Sequence, residues 1–168
     1  MKRRAEEFAA FYEASRDDCL RTMTAWTLDP VAAEDLVAEA FARAWASWKR
    51  VRVHPSPRAW VVRTAVNAKI SAWRRDRREQ EQLPTDVFAA EPLSVDRDQL
   101  DRDLLAALLR LPERQRQVLA LRVFLDLDVA QTASMMRIAE GTVNAHLSRA
   151  LAHLRNEVAV TTRSEARA

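Results

Sequence analysis

A single glycine, Gly141, in 168 residues leaves this chain few places to turn sharply. Ala, Leu, Arg and the acids Glu and Asp dominate the rest, and the six prolines punctuate it. Such a sequence has little use for strands and hairpins and reads as all-α. Its length suits one medium domain or two small ones. The lone cysteine, Cys19, excludes a disulfide framework and a thiolate metal site. His146 and His153 are seven residues apart on one expected helix but lack a third ligand, so no metal or other cofactor is expected. No apolar run approaches the ~20 residues of a membrane span, and no signal-peptide pattern opens the chain. A cytoplasmic protein with no membrane insertion is expected.

Hydrophobic periodicity divides the chain into helices. The first is expected over about 5–28, with Phe8, Phe11, Tyr12, Leu20, Met23 and Trp26 as its apolar side, and Asp29-Pro30 ends it. The second, about 31–49, carries Leu36, Val37, Ala40, Phe41, Ala44, Trp45 and Trp48 at helical spacing. Its opposite face shows Asp35, Ala38, Glu39, Ala42 and Ala46. A loop at 50–56 ends in Ser56-Pro57, an N-cap followed by proline at the first helical position, which starts a third helix over 57–79. Residues 80–99, with Pro84, Pro92 and scattered acids, read as a linker and a domain boundary. The second block, 100–160, opens with Leu100, Leu104, Leu105 and Leu108. Helices then follow at about 113–125, 129–136 and 140–158, and the polar tail 161–168 is expected to fray.

Charge follows the same division. Residues 57–79 carry seven basic groups against two acidic ones, 80–103 two against seven, and 104–155 seven against four. Two basic blocks thus flank an acidic one. Basic blocks attract phosphate backbones whatever the sequence, although a charge run can also be a solvated helix face.

The last two helices, with a tight break between them, have the spacing of a helix-turn-helix, whose second helix enters the major groove. On that helix Val143, Leu147, Ala150, Leu151 and Leu154 share one face. Gly141, Thr142, Ala145, Ser148 and Arg149 lie opposite, with Asn144 and His146 on the flanks. Small side chains ending in one arginine suit close approach to base edges, where arginine pairs with guanine and asparagine with adenine. In the third helix Trp60 and Trp73 interleave with Arg58, Arg63, Lys69 and Arg74, a mixture suited to unstacked single-stranded bases. The alternative is a core place for Trp60 and a half-buried one for Trp73, and for Trp60 the core is favoured. On the second helix, small alanines beside Asp35 and Glu39 would let another helix come close and pair its arginines.

Five segments in order carry a family resemblance. Ala33-Glu34-Asp35-Leu36-Val37-Ala38-Glu39-Ala40-Phe41 comes first, then Arg58-Ala59-Trp60-Val61 with Asn67. Leu111-Pro112-Glu113-Arg114-Gln115-Arg116, Glu140-Gly141-Thr142-Val143 and Leu147-Ser148-Arg149-Ala150-Leu151 follow. Together they closely resemble the extracytoplasmic-function branch of bacterial RNA polymerase sigma factors, over nearly the whole chain. The resemblance implies a transcription initiation factor, not an enzyme, made of two small helical domains joined by an acidic linker. Residues 1–79 would be region 2 and 100–160 region 4, the helix-turn-helix. Core RNA polymerase and promoter DNA would be its partners, and an anti-sigma factor is a further candidate. Asp35, Leu36, Glu39 and Ala42 would dock on the clamp helices of the largest polymerase subunit, and the flap of the second subunit would receive region 4. Arg50, Arg52, His54, Ser56, Arg58, Arg63, Asn67 and Arg74 would serve the −10 element, where a flipped base is captured at a cost of a few kcal/mol. Thr142, Asn144, Ala145, Ser148 and Arg149 would read the −35 element. The acidic linker would thread near the polymerase active site, its charge mimicking nucleic acid.

The chain departs from the family pattern in places. Ala38 replaces a usual glutamine, Ser71 a common aspartate, and Asn144 a frequent basic residue. Arg137 stands in the turn where glycine is usual; a left-handed conformation there would cost on the order of 1 kcal/mol. Ala139 replaces a frequent Ser or Thr, an N-cap worth ~1 kcal/mol. Two rival readings share some of these features. One is a helix-turn-helix regulator acting without stable polymerase association. The other is a polymerase-binding protein that has lost promoter recognition.

Overall fold

The computed structural model describes residues 2–80 and 102–165, with side chains through 72 and over 103–156. The segment 81–101, most of the expected acidic linker, lies outside the described residues, as do the side chains of Trp73 and Arg74. The described residues form α1 (Lys2–Thr27), α2 (Pro30–Ala46), the short α3 (Trp48–Val51) and α4 (Pro57–Gln80). They continue with α5 (Arg102–Leu109), α6 (Glu113–Leu119), a π-helical turn (Ala120–Phe124), α7 (Val129–Met136) and α8 (Glu140–Glu165). Among them there is no strand, and no helix is long and apolar enough to cross a membrane.

Local chemistry explains the boundaries. Leu28 takes the left-handed conformation (φ 59°) after α1. Asp29 then caps α2, its carboxylate accepting from the Ala32 N–H at 3.0 Å ahead of Pro30 in the first turn. The expected single helix over 31–49 is broken at Ser47 (φ −104°, ψ 20°), which ends α2 and starts α3. Asp128 and Gln131 make a reciprocal capping box at the start of α7. The expected helix over 113–125 is interrupted too: Leu125 N–H donates to the Ala120 carbonyl, five residues back. This widened turn keeps Leu121 and Leu125 both fully buried. At the other end α8 runs on to Glu165, past the expected 158, through a stretch with no breaker.

The two blocks are in contact. Thr22, Met23, Thr24 and Ala25 of α1 are four successive buried residues, more than one helical turn, so α1 has no solvent side there. Cys19, Leu20 and Met23 share one buried cluster with Val61, Val62 and Ala65 of α4 and with Val118, Leu121 and Leu125 around the π turn. Ala25 lies in a second cluster made otherwise of Leu108, Leu111, Leu119, Ala120 and Ala150, all from the C-terminal block. At the far end, Phe8, Phe11, Phe41 and Trp48 pack ring against ring, with centroids 5.2–6.5 Å apart. Trp45, expected inside, is 40% exposed and lies under Arg4, whose guanidinium sits 4.5 Å from the ring centroid.

Burial pushes the Cys19 thiol pKa from an ordinary 9.0 up to about 12, with Arg58 nearby opposing and Asp18 adding to the rise. Its native state holds the proton longer than the unfolded chain does, so Cys19 adds stability below pH 9 and loses it as pH climbs from 9 toward 12. Denaturant unfolding should therefore show a steeper alkaline loss for the parent chain than for Cys19→Ala, and the native thiol should resist disulfide reagents at pH 8. Equal alkaline profiles would contradict this burial.

Candidate nucleic-acid and partner interface

The helix-turn-helix is built from α7 and α8. Arg137 closes α7 in the left-handed conformation (φ 57°, ψ 47°), a place where glycine would be unstrained, and so carries the cost anticipated from its identity. Ile138 N–H donates back to the Ala133 carbonyl at 3.1 Å, which seats the turn. Val143 and Ala150 of α8 are fully buried, with Leu147, Leu151 and Leu154 packed beside them. The opposite face therefore points outward: Gly141, Thr142, Asn144, Ser148 and Arg149 are exposed and Ala145 is half-exposed. Ala139 gives α8 no side-chain cap, but its carbonyl accepts from Thr142 and Val143. A Cβ placed on Gly141 would meet nothing within 4 Å. The fold thus has no steric need for glycine there.

On α2 the inward residues Ala33, Val37, Ala40, Phe41 and Ala44 turn the other side to solvent. Asp35, Ala38, Glu39 and Ala42 are exposed on it and Leu36 is half-buried, as their spacing anticipates. Glu39 pairs with Arg43 one turn on, both half-exposed, a contact worth a few tenths of a kcal/mol and easily given up to another arginine.

The third candidate surface is less uniform. Arg50, expected at the start of a loop, is exposed within α3, and His54 is exposed on the shorter loop that follows, its Nδ1 3.1 Å from the Ser56 N–H and 2.9 Å from the Ser56 carbonyl. Ser56 Oγ reaches the Ala59 N–H at 3.4 Å, a long cap. Arg52 lies 3.9 Å from Glu7. Arg58 is held by Asp18 at 2.9 Å, and Arg63 donates to the Ser134 carbonyl of α7 at 3.3 Å, so neither points freely outward. Asn67 is exposed at the rim of an open groove of about 380 Å³, lined by Arg43, Ala46, Ser47, Trp60, Thr64 and Asn67. Of these six, the sequence reading had given Asn67 a binding role and Trp60 a stacking or core role. Trp60, favoured for the core, is instead half-buried and lines the groove. Trp60, Thr64 and Asn67 fall at helical spacing, the one signal that could have found the α4 wall.

An indole, an amide, two hydroxyls and a guanidinium around an open groove can stack on and hydrogen-bond a planar polar group such as an unstacked base. Among the described residues no cluster of His, Cys, Asp and Glu could hold a metal ion.

Comparison with known proteins decides what these surfaces belong to. Residues 11–79 match the family description Sigma-70 region 2, and residues 101–154 match Sigma-70, region 4. The RNA polymerase sigma-E factor of Streptomyces coelicolor is 33% identical over 154 residues, covering 90% of this chain and 86% of that protein. The chain is an extracytoplasmic-function sigma factor. The sigma-E factor of Streptomyces antibioticus is 32% identical over the same length, 90% of this chain and 84% of that one. In fold the sigma factor resembles RpoE of Bartonella quintana, solved with the anti-sigma factor NepR, with a TM-score of 0.66 at 24% identity over 95% of this chain and 99% of that one. Proteins of this kind direct promoter-specific transcription initiation: they bind core RNA polymerase, read −35 and −10 elements and aid DNA melting.

Because glycine serves no packing purpose at 141, Gly141→Ala should raise thermal stability by up to about 1 kcal/mol of helix propensity. If the bare backbone is there for DNA to approach, the same variant should bind a −35 duplex more weakly. Unchanged duplex affinity would show the glycine to be incidental.

Proposed function

We propose that the three exposed surfaces divide the work of initiation among themselves. The Asp35, Leu36, Glu39 and Ala42 face of α2 docks on the clamp helices of the largest polymerase subunit. Its small side chains let a partner helix approach, and its carboxylates pair with that helix's cations. The C-terminal block takes the flap of the second subunit. The face of α8 with Thr142, Asn144, Ala145, Ser148 and Arg149 enters the major groove at the −35 element. Arg149 is its one long donor, worth ~1–3 kcal/mol of discrimination in a bidentate pair with guanine.

The −10 element falls to Arg50 on α3, to the loop residues Arg52, His54 and Ser56, and to Arg58, Arg63, Asn67 and Arg74 on α4. We assign the groove beside Trp60 and Asn67 to a flipped base, where stacking of ~1–3 kcal/mol offsets the cost of unpairing. The acidic segment 80–99 joins region 2 to region 4. The factor is a cytoplasmic, non-enzymatic protein, and an anti-sigma factor, the partner named for the Bartonella quintana relative, is a candidate regulator.

One observation carries this reading: Asp35, Glu39 and Arg149 are all open to solvent, while the apolar side of each helix that bears them is buried. A helix-turn-helix regulator would need no carboxylate-and-alanine face on α2, and a factor without promoter recognition would need no open arginine on α8.

Asp35→Arg should abolish co-purification with core polymerase while leaving the far-ultraviolet circular dichroism unchanged. Arg149→Ala should keep polymerase binding but lose selectivity at one −35 position by ~1–3 kcal/mol, or roughly 5- to 150-fold in relative promoter use. Unaltered co-purification for the first, or an unchanged promoter preference for the second, would remove the corresponding surface from the assignment.

A further inference from the structure

The groove of region 2 has two unlike walls. Trp60, Thr64 and Asn67 follow one another at helical spacing on α4 and supply a ring, a hydroxyl and an amide. The Thr64 hydroxyl donates to the Trp60 carbonyl at 2.8 Å, so toward a ligand it can only accept. The other wall comes from the end of α2 and the break at Ser47: Arg43, Ala46 and Ser47. It carries no ring, and Arg43 is the only charged side chain among the six that line the groove.

A nucleotide has two unlike halves as well. Its base is planar, uncharged and polar at the edges, whereas its phosphate bears a full negative charge. A base laid on Trp60 with an edge toward Asn67 occupies the α4 wall. The strand that carries the base is then left to the α2 wall, where exposed Ala46 and half-buried Ser47 are small enough for close approach. Arg43 stands on that wall and is itself exposed. Glu39, one turn earlier, holds it through Nη2. A guanidinium has five N–H donors in a planar fork, so others stay open to a phosphate. Both partners of the Glu39 pair are half-exposed, which makes the pair weak: it orients the guanidinium yet yields to a stronger acceptor.

We infer, on the reading that this groove takes a flipped base, that Arg43 binds a phosphate flanking that base, from the wall opposite Asn67. The two walls then divide the labour. Arg43 adds affinity whatever the base, and Asn67 adds selectivity. Arg43 sits one turn beyond Glu39, among residues that face polymerase, so its place in the sequence hides this role.

The test uses the full chain assembled with core polymerase and a fluorescent single-stranded oligonucleotide copied from the −10 segment of a promoter that this holoenzyme transcribes. Two altered probes accompany it. One is abasic at the flipped position, and the other carries neutral methylphosphonates in place of the phosphates on either side of it. Arg43→Ala should weaken binding of the unmodified probe about tenfold. It should also make the logarithmic salt dependence shallower by about 0.7, the share of one phosphate contact on a single strand. The methylphosphonates should cost the parent about tenfold more affinity than they cost Arg43→Ala, in which the contact is already gone. Arg43→Lys should keep the parent's salt dependence and recover part of the affinity. The loss caused by the abasic nucleotide should persist in Arg43→Ala, because base and phosphate are held by different walls. Full affinity with an unchanged salt dependence in Arg43→Ala, or a methylphosphonate penalty as large in the variant as in the parent, would overturn the phosphate role. So would a loss of polymerase affinity with the DNA affinity of the assembled holoenzyme intact, which would put Arg43 on the polymerase surface instead. If neither the abasic probe nor Asn67→Ala loses affinity, the groove takes no base, and the reading on which the role of Arg43 rests falls with it.

Discussion

Between Thr22 and Ala25 the first helix is covered on every side, and the arrangement of the other described helices follows from what covers it. One flank takes α2 and α4 and the other takes α6 and the π turn, so a single helix supplies core residues to both blocks. Helices can approach from opposite sides because the residues there are small or slender: Ser15, Cys19, Thr22, Thr24 and Ala25. Small hydroxyl residues bring polar atoms with them. Thr22 Oγ1 returns its hydrogen bond to the Asp18 carbonyl at 2.7 Å, whereas the Thr24 hydroxyl finds no partner among the described residues. Close packing and imperfect polar satisfaction thus arise from the same residue choices, and the second limits how permanent the first can be.

The contact between the blocks matters because apolar faces need cover in water, and here each block covers faces of the other. α2's carboxylate face and α8's polar face lie outside that contact, so the surfaces proposed for polymerase and the −35 element stay open to solvent. On the surface proposed for the −10 element, Arg58 pairs with Asp18 and the exposed Arg63 donates to an α7 carbonyl, while the groove beside Asn67 stays open.

Local periodicity made the helices and their outward faces readable in advance. Asp35, Glu39 and Ala42 are spaced to share one face, and Val143, Leu147, Ala150, Leu151 and Leu154 another, so their sides could be assigned without coordinates. Arg137 was legible as a strained turn residue because a backbone requirement attaches to a single position. What could not be read involves partners distant in sequence. Trp45 is 40% exposed, and its ring finds cover from Arg4, forty-one residues earlier, which also donates to its carbonyl. Arg63 is occupied by a carbonyl seventy-one residues later. The groove needs α2 and α4 side by side, so Arg43 and Ser47 carried no sequence sign of it. The double burial of α1 was hidden for another reason: a helix covered on opposite sides has no single stripe to announce its partners.

The account is tested most directly by run-off transcription from a promoter library, using purified core RNA polymerase with and without this protein. It predicts that adding the chain selects start sites preceded by two conserved elements at fixed spacing. Start sites no more selective than those of core polymerase alone would contradict it.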